Sequence, residues 1–166
     1  MISIGLLSDT HSYLDERILH HLNDVDEIWH AGDFGSIDIS NQLSNIKPLK
    51  GVYGNIDGGE IRQIHPEHLK FECGGLSIWM THIGGYPGRY NPKIRTAIYE
   101  KKPDLFICGH SHILKILPDK KVPNLLHINP GAAGKHGFHK VRTMVKFKIS
   151  DHRITDLNVI ELGPRA

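Results

Sequence analysis

Short apolar runs alternate with glycine-containing and polar segments along the first two-thirds of the chain. Five of these runs are bounded in the way that is typical of buried strands: residues 2–7, 28–29, 52–53, 78–80 and 105–108. Between them, apolar residues at helical spacing predict helices over about 14–22, 37–43 and 93–101. This alternation predicts a largely parallel β-sheet.

The rest of the pattern is mainly typical of strands. Alternating residues on both sides of Gly74-Gly75 predict a tight hairpin over residues 69–80. Further strands are predicted over residues 114–117, 125–128, 145–149 and 154–160. We expect the strands after residue 113 to form a second sheet that faces the first, and residues 162–166 to form a loose tail.

Each of the five strand-like runs ends in residues that can bind a metal or a phosphate. The segments that follow them are Asp9-Thr-His11, Gly32-Asp33, Gly54-Asn55-Ile-Asp57, Thr81-His82 and Gly109-His110-Ser-His112. Because sites gather at the carboxyl ends of strands in such sheets, we expect these side chains to converge. In an extended segment, residues two apart point the same way, so the Asp9/His11 and His110/His112 pairs would each hold one centre from one side.

Together these segments supply carboxylate oxygen, amide oxygen and imidazole nitrogen, which suit hard and borderline cations without any thiolate. Taken singly, each residue has a structural alternative, since Asp caps helices and turns and His is often satisfied by backbone partners. Their joint occurrence favours a metal centre. The candidate ligands are Asp9, His11, Asp33, Asn55, His82, His110 and His112. Seven further histidines are expected to be surface or satisfied core residues: His20, His21, His30, His65, His68, His127 and His152.

Length and composition bound the remaining possibilities. The chain has 166 residues, so we expect one domain over residues 1–166. A net charge of +2, with 18 acidic residues interspersed among 20 basic ones, is too small to imply a nucleic-acid or membrane partner, and the absence of a long basic face makes a nuclease the less favoured interpretation. The first apolar run has no basic residues before it, and we expect a strand there and not a leader. Cys73 and Cys108 form no CxxC pair, which favours reduced core residues and a cytoplasmic location.

The ordered motifs resemble the calcineurin-like metallophosphoesterases, in particular the small YfcE-type phosphodiesterase branch. The matching set is Asp-x-His, Gly-Asp, Gly-Asn-x-Asp, Thr-His and Gly-His-x-His, and Asn129-Pro130-Gly131 matches a further segment of that branch. The resemblance covers essentially the whole chain. It implies an α/β fold, a four-layer α/β/β/α sandwich of two mixed β-sheets flanked by helices.

The resemblance also implies how the ligands are shared between two divalent ions. Asp9, His11, Asp33 and His112 would hold one ion, and Asp33, Asn55, His82 and His110 the other, with Asp33 as the bridge. We expect Mn²⁺, although a nitrogen and oxygen site of this kind also accepts Fe, Ni, Co or Zn. A hydroxide that bridges the ions would then attack the phosphorus of a small phosphodiester.

One departure from the wider superfamily bears on the substrate. Many members have His directly after the motif Asn, where it can protonate the leaving group, but this chain has Ile56 there. A diester with an acidic leaving alcohol needs that proton less, so we expect phosphodiesterase activity. Asp57 is expected to support the site from behind the ligands. Arg89, in a flexible stretch, is a candidate contact for a substrate phosphate, with a solvated loop arginine as the favoured alternative.

Other functions stay open at this point. A non-catalytic binding scaffold resembling the retromer subunit of the same fold is one alternative. A phosphomonoesterase or phosphoprotein phosphatase on the same site, or a nuclease, are others. Asn129–Gly134 is expected to form a wall of the pocket, and His136, His139 and Lys140 a solvated loop. Self-association is common in the family, so a homo-oligomer also stays open.

Overall fold

A computed structural model describes residues 1–166 of the chain. The first half of the fold contains these elements in order: β1 (Ile2–Leu7), α1 (Glu16–Leu22), β2 (Glu27–His30), α2 (Ile37–Ile46), β3 (Leu49–Gly51), α3 (Gly59–Ile64), β4 (His68–Cys73) and β5 (Leu76–Thr81). The second half contains β6 (Gly85–Tyr86), β7 (Arg89–Tyr90), α4 (Arg95–Lys101), β8 (Leu105–Ile107), β9 (Lys115–Pro118), β10 (Leu126–Asn129), β11 (Val141–Ser150) and β12 (Arg153–Pro164).

The strands form two five-stranded sheets and one small hairpin. The first sheet has the order β12-β11-β1-β2-β3, and the second has the order β4-β5-β8-β10-β9. Strands β1, β2 and β3 are parallel, as are β5, β8 and β10, whereas β11 and β12 in the first sheet and β4 and β9 in the second sheet pair antiparallel with their neighbours. Both sheets are therefore mixed, as expected from the sequence.

Three apolar clusters hold the layers together. Alternate residues of a strand point to opposite faces of its sheet, so each sheet contributes to a cluster between the sheets and to another on its outer face. Between the sheets, Leu6 and Trp29 of the first sheet pack in one cluster with Ile107 of the second. On the outer face of the first sheet, Ile28 packs in a cluster with Ile18 of α1 and Leu43 of α2. On the outer face of the second sheet, Phe106 packs in a cluster with Ile98 of α4. The predicted four-layer sandwich is confirmed.

The expected membership of the second sheet was wrong for the last two strands. β11 pairs antiparallel with β1, with Ile4 opposite Phe147, so that β11 and β12 extend the first sheet. The free edge of β1 accepts β11, and no local sequence pattern reports which edge a distant strand will join. The expected loose tail was also wrong, because Leu162 lies in β12 and is fully buried.

Local differences from the sequence predictions are small. Helix α3 was not predicted, and β3 ends at Gly51, before the Val52-Tyr53 pair that the apolar pattern had marked. The stretch that was expected to be flexible forms the β6–β7 hairpin, in which Gly85 pairs with Tyr90. Cys73 and Cys108 are buried free thiols. No helix of the chain has the length and apolar character needed to cross a membrane.

Candidate metal centre

The seven candidate ligands lie in the loops that follow β1, β2, β3, β5 and β8. The three parallel strands of the first sheet end at one edge, and the two from the second sheet end beside them. Backbone hydrogen bonds join the loops: the N–H of Asp9 donates to the carbonyl of Gly32 at 2.9 Å, and the N–H of Gly109 donates to the carbonyl of His82 at 3.0 Å. The strand ends thus bring together residues from widely separated parts of the chain.

The side chains form two groups that face each other. Asp9, His11 and His112 make one group, and Asp33, His82 and His110 make the other, and within each group the potential ligand atoms all lie within 4.8 Å of one another. Asn55 joins the second group, because its Oδ1 lies 3.0 Å from Nδ1 of His110. All seven sequence-predicted candidates therefore meet in one place.

Asp33 stands between the two groups. Its Oδ2 lies 3.1 Å from Nε2 of His82 in one group and 3.4 Å from Nε2 of His11 in the other. Asp9 Oδ1 lies 3.2 Å from Nε2 of His112 and 3.8 Å from Nε2 of His82. A carboxylate in this position can contact cations on both sides.

The donor set fits divalent metal ions. Three of its atoms, Asp9 Oδ1, His11 Nε2 and His82 Nε2, are buried without any hydrogen-bond partner. Buried polar atoms are normally satisfied, so such orphans call for an explanation. Metal–ligand bonds of about 2.0–2.2 Å separate neighbouring ligand atoms by about 3.0–3.4 Å, which agrees with the shortest distances between these side chains.

Other contacts hold the remaining atoms of the ligands and aim the free atoms inward. Ser8 Oγ donates to Asp9 Oδ2 at 2.6 Å, and the N–H of Ile56 donates to Asp33 Oδ1 at 3.1 Å. His82 Nδ1 donates to the carbonyl of Ala31 at 2.7 Å, which leaves Nε2 facing Asp33. Partners of this kind orient metal ligands in proteins. Sequence reasoning missed Ser8, which adjoins the Asp-x-His motif and carries no spacing signal of its own.

The two pairs of residues that lie two apart have different outcomes. Asp9 and His11 fall in one group, as expected, although their backbone is not extended. His110 and His112 fall in different groups, so the expectation that they hold one centre was wrong. Both have positive φ, 70° and 62°, as do Asp9, His11 and Asp33. A residue with left-handed backbone points its side chain in a different direction from a residue in a strand. Such strained residues cluster at functional sites.

Electrostatics favour the ligand forms of several side chains. Burial lowers the pKa values of His11 and His110, which keeps both rings neutral and able to donate a lone pair. For His82, burial acts to lower the pKa, but the carboxylates of Asp33 and Asp9 outweigh it and raise the pKa. For Asp33, burial acts to raise the pKa, but contact with His82 prevails and lowers it. Asp33 is thus held as a carboxylate.

Asp57 does not join either group of ligands. Its carboxylate accepts hydrogen bonds from the backbone N–H groups of Phe34 at 3.2 Å, Gly35 at 2.9 Å and Gly54 at 2.7 Å. It therefore ties the loop that carries Asp33 to the loop that carries Asn55. Gly54 itself lies so close to the Asp33 carboxylate that a side chain there would collide with it.

A cavity of about 500 Å³ opens over the two groups. Its floor contains His11, Asp33 and His112, and its rim contains Ile56, Ile113 and Phe138. The loop after residue 134 was expected to be solvated, but it forms one side of this cavity. The His136 ring lies 4.7 Å from the His11 ring, and the His139 ring lies 5.3 Å from the His112 ring, both between centroids. The only sequence signal for this wall of the cavity was the presence of two histidines, His136 and His139, three residues apart.

Asn129 supports the centre from below. Its Nδ2 donates to the carbonyl of Gly109 at 3.0 Å and to Ser111 Oγ at 3.1 Å, on both sides of His110.

Arg89 is an exposed residue of β7. It lines a neighbouring cavity that also includes His110. Arg89 does not line the cavity over the metal groups.

Comparisons with solved structures agree with this fold. Vps29 from Chaetomium thermophilum superposes with a TM-score of 0.79 at 18% identity, covering 97% of this chain and 89% of that chain. A structure described as a novel archaeal phosphodiesterase superposes with a TM-score of 0.76 at 24% identity, covering 96% of this chain and 99% of that chain. At these identities the similarity concerns the fold.

Sequence comparisons identify the family. A probable metallophosphoesterase from Methanothermobacter thermautotrophicus is 31% identical over 137 residues, which is 78% of this chain and 76% of that protein. Residues 2–152 match the family model described as the calcineurin-like phosphoesterase superfamily domain, and this range contains every candidate ligand. The chain therefore belongs to the calcineurin-like phosphoesterase superfamily.

Proposed function

We propose that this chain is a dinuclear-metal phosphodiesterase. The position of Asp33 Oδ2, 3.1 Å from His82 Nε2 and 3.4 Å from His11 Nε2, is the observation that carries the proposal. In it, one ion is held by Asp9, His11, Asp33 and His112, and the other by Asp33, Asn55, His82 and His110. A pair of ions held in this way supplies Lewis-acid activation of water and neutralises charge on a bound phosphate.

The protein's own part in this reaction is positioning. The cavity above the two groups leaves room for a bound phosphate. Hydrogen bonds to Ser8 and Ala31 hold the side chains of Asp9 and His82, respectively, in fixed orientations. Asn55 contributes a neutral oxygen, which limits the accumulation of negative charge where an anionic substrate must bind. Asp57 keeps the loops of Asp33 and Asn55 in register.

The proposed preference for diesters rests on Ile56. Its side chain lines the cavity directly after Asn55, is 47% exposed, and has no proton to donate to a leaving alkoxide. Alkyl monoesters need such a proton most, and diesters with acidic leaving alcohols need it least. The similarity in fold to the archaeal phosphodiesterase is consistent with this preference.

Further parts of the proposal concern the protein as a whole. We propose one domain over residues 1–166, since both five-stranded sheets share a single central cluster. Mn²⁺ is the proposed working ion, because it accepts this mixture of carboxylate, amide and imidazole ligands. A cytoplasmic location is supported by two buried cysteines that remain free thiols. A small phosphodiester is the proposed substrate, since the cavity over the metal groups measures about 500 Å³.

A binding scaffold is the second candidate function, favoured by the fold that the chain shares with Vps29.

The candidate functions can be separated by metal analysis of the purified protein after incubation with Mn²⁺, combined with assays of bis(p-nitrophenyl) phosphate and p-nitrophenyl phosphate. We expect two ions per chain and faster hydrolysis of the diester. Bound ions without hydrolysis of either compound would favour the scaffold, and faster hydrolysis of the monoester would identify a phosphomonoesterase.

A further inference from the structure

A second cavity lies beside the one over the metal groups, on the outer side of the second sheet. It has a volume of about 530 Å³ and is enclosed by the β6–β7 hairpin, the residues before α4, strands β9 and β10, and the loop of residues 109–113. We call it the hairpin pocket. His110 lines both cavities, so the hairpin pocket adjoins the cavity over the metal groups. A substrate held at the centre can therefore extend into it.

The hairpin pocket is electropositive. Arg89, Lys93 and Lys115 line it, and it has no acidic lining residue. None of the three cations belongs to the ion pairs that Lys and Arg side chains form elsewhere in the chain. Lys115 is half-buried, and its Nζ lies 3.9 Å from the centroid of the Tyr86 ring, which joins β9 to the hairpin. Cations that line one cavity without an acidic neighbour in its lining attract an anion.

One residue that lines the hairpin pocket, His127, has a buried polar atom without a partner. His127 and Asn129 alternate on β10 opposite Leu117 and Lys115 of β9, so all four share one face of the sheet. His127 is fully buried, and its Nδ1 donates to the carbonyl of Phe106 at 3.1 Å. Its Nε2 is therefore a lone-pair acceptor, and it has no partner. The sequence-based expectation of a satisfied core histidine was wrong at this atom.

A buried acceptor without a partner costs about 1–3 kcal/mol, so a polar occupant is favoured over an apolar one. A neutral imidazole ring can accept a hydrogen bond from an O–H or N–H group, and lysine and arginine side chains can pair with an anion. Both requirements are met by one ligand that carries an anionic group next to a hydrogen-bond donor.

We propose that the hairpin pocket binds an anionic group, a phosphate or a carboxylate, carried by one alcohol of the phosphodiester substrate. This inference rests on the proposed phosphodiesterase function and narrows its substrate to diesters of phosphorylated or carboxylated alcohols. Lys115 and Arg89 are the principal contacts, with Lys93 at the mouth. Charge-assisted contacts of this kind act on substrate binding and leave the reacting phosphate group unchanged.

The test uses three p-nitrophenyl phosphodiesters that share the leaving group and differ in the other alcohol: ethanol, ethylene glycol monophosphate and 3-hydroxypropanoic acid. With the Mn²⁺-loaded protein we expect KM to be about tenfold lower for an anionic substrate than for the ethyl ester. Lys115→Met should remove most of that advantage without changing kcat or the KM of the ethyl ester, and Arg89→Met should also reduce the advantage. Lys101→Met, an exposed lysine at the other end of α4, is the matched control.

A binding measurement separates this inference from the function on which it rests. In an NMR titration of metal-free protein with ethylene glycol monophosphate, shifts should centre on residues 85–93 and 115, persist in Asp33→Asn and disappear in Lys115→Met. Such binding without hydrolysis of any ester would reject the function and keep the pocket. Hydrolysis of all three esters at equal KM, in the parent and both variants, would reject the pocket and keep the function. A preference for one anionic ester identifies the group as phosphate or carboxylate.

Discussion

Asp33 Oδ2 lies 3.1 Å from Nε2 of His82, although the two residues follow strands of different sheets. The contact lowers the pKa of Asp33 against the effect of burial, and the Nδ1–H of His82 is anchored on Ala31. Two lone-pair donors are thereby held face to face in a buried site. This arrangement is stable only if a cation or a proton lies between them.

Replacement of the central carboxylate should abolish the proposed activity. Asp33→Asn keeps the shape of the side chain but removes its charge, so we expect metal content to fall and hydrolysis of bis(p-nitrophenyl) phosphate to drop by on the order of 10³-fold. His112→Ala should act in the same direction. Steady-state assays with added Mn²⁺ and far-UV circular dichroism measure activity and folding separately. Asp24→Asn and His20→Ala, at exposed positions, are the matched controls, and equal rates in Asp33→Asn and the parent would reject the assignment.

Asp57→Ala should destabilise the fold and weaken metal binding together. The substitution leaves three backbone N–H groups without their acceptor, so we expect the free energy of unfolding to fall by about 1–3 kcal/mol. Metal affinity should fall by about 10–100-fold, because the loops of Asp33 and Asn55 lose their connection. Urea denaturation and metal titration measure the two effects. Asp38→Ala, at an exposed position in α2, is the control, and a metal affinity unchanged in Asp57→Ala would contradict the positioning role.

His127 should contribute to acid sensitivity. Burial lowers its pKa to about 4, so the folded state keeps the ring neutral while the unfolded state binds a proton below about pH 6.5. Its contribution to stability is therefore complete above pH 6.5 and is lost as the pH falls towards 4, by on the order of 3 kcal/mol. His127→Phe, which keeps a ring beside Phe106, should flatten the pH dependence of unfolding in this window. A parallel pH profile for variant and parent would show that the ring titrates normally.

Phe138 should assist binding of aromatic esters. It is 100% exposed and lines the rim of the cavity over the metal centre together with Ile113. Contact between its ring and an aryl group is worth about 0.5–1.5 kcal/mol. Phe138→Ala should therefore raise KM for bis(p-nitrophenyl) phosphate by about 2–10-fold with kcat unchanged. Leu157→Ala, a truncation on β12 outside this cavity, is the control, and an unchanged KM in Phe138→Ala would mean that the rim does not touch the ester group.

The convergence of Asp9 and Asp33 could be anticipated from the chain because the parallel strands β1 and β2 end at one edge of a sheet, whereas His82 follows β5 of the second sheet and meets them only because the two sheets pack together. The expectation for His110 and His112 failed, since it assumed extended backbone and both residues have positive φ. Left-handed conformations at non-glycine residues are imposed by surrounding contacts, such as the donation from the N–H of His110 to Asp9. No spacing rule reports them.

Local pattern also could not decide how strands separated along the chain would pair. Val145, Phe147 and Ile149 alternate as clearly as any strand in the sequence, yet the alternation is equally compatible with either sheet. Their place beside β1 depends on a free edge and on side chains that fill the space between the sheets. The hairpin pocket has the same origin, because Tyr86 and Lys115 meet only once β9 lies against the hairpin.

The sequence by itself determined the family, the two-sheet fold class and the seven candidate ligands, because strand patterns and the residues that follow them are local properties. Tertiary structure alone decided which ligands share a group, which sheet received β11, and that Nε2 of His127 has no partner. These outcomes depend on contacts between distant segments. Their free energies arise only when the two sheets pack together.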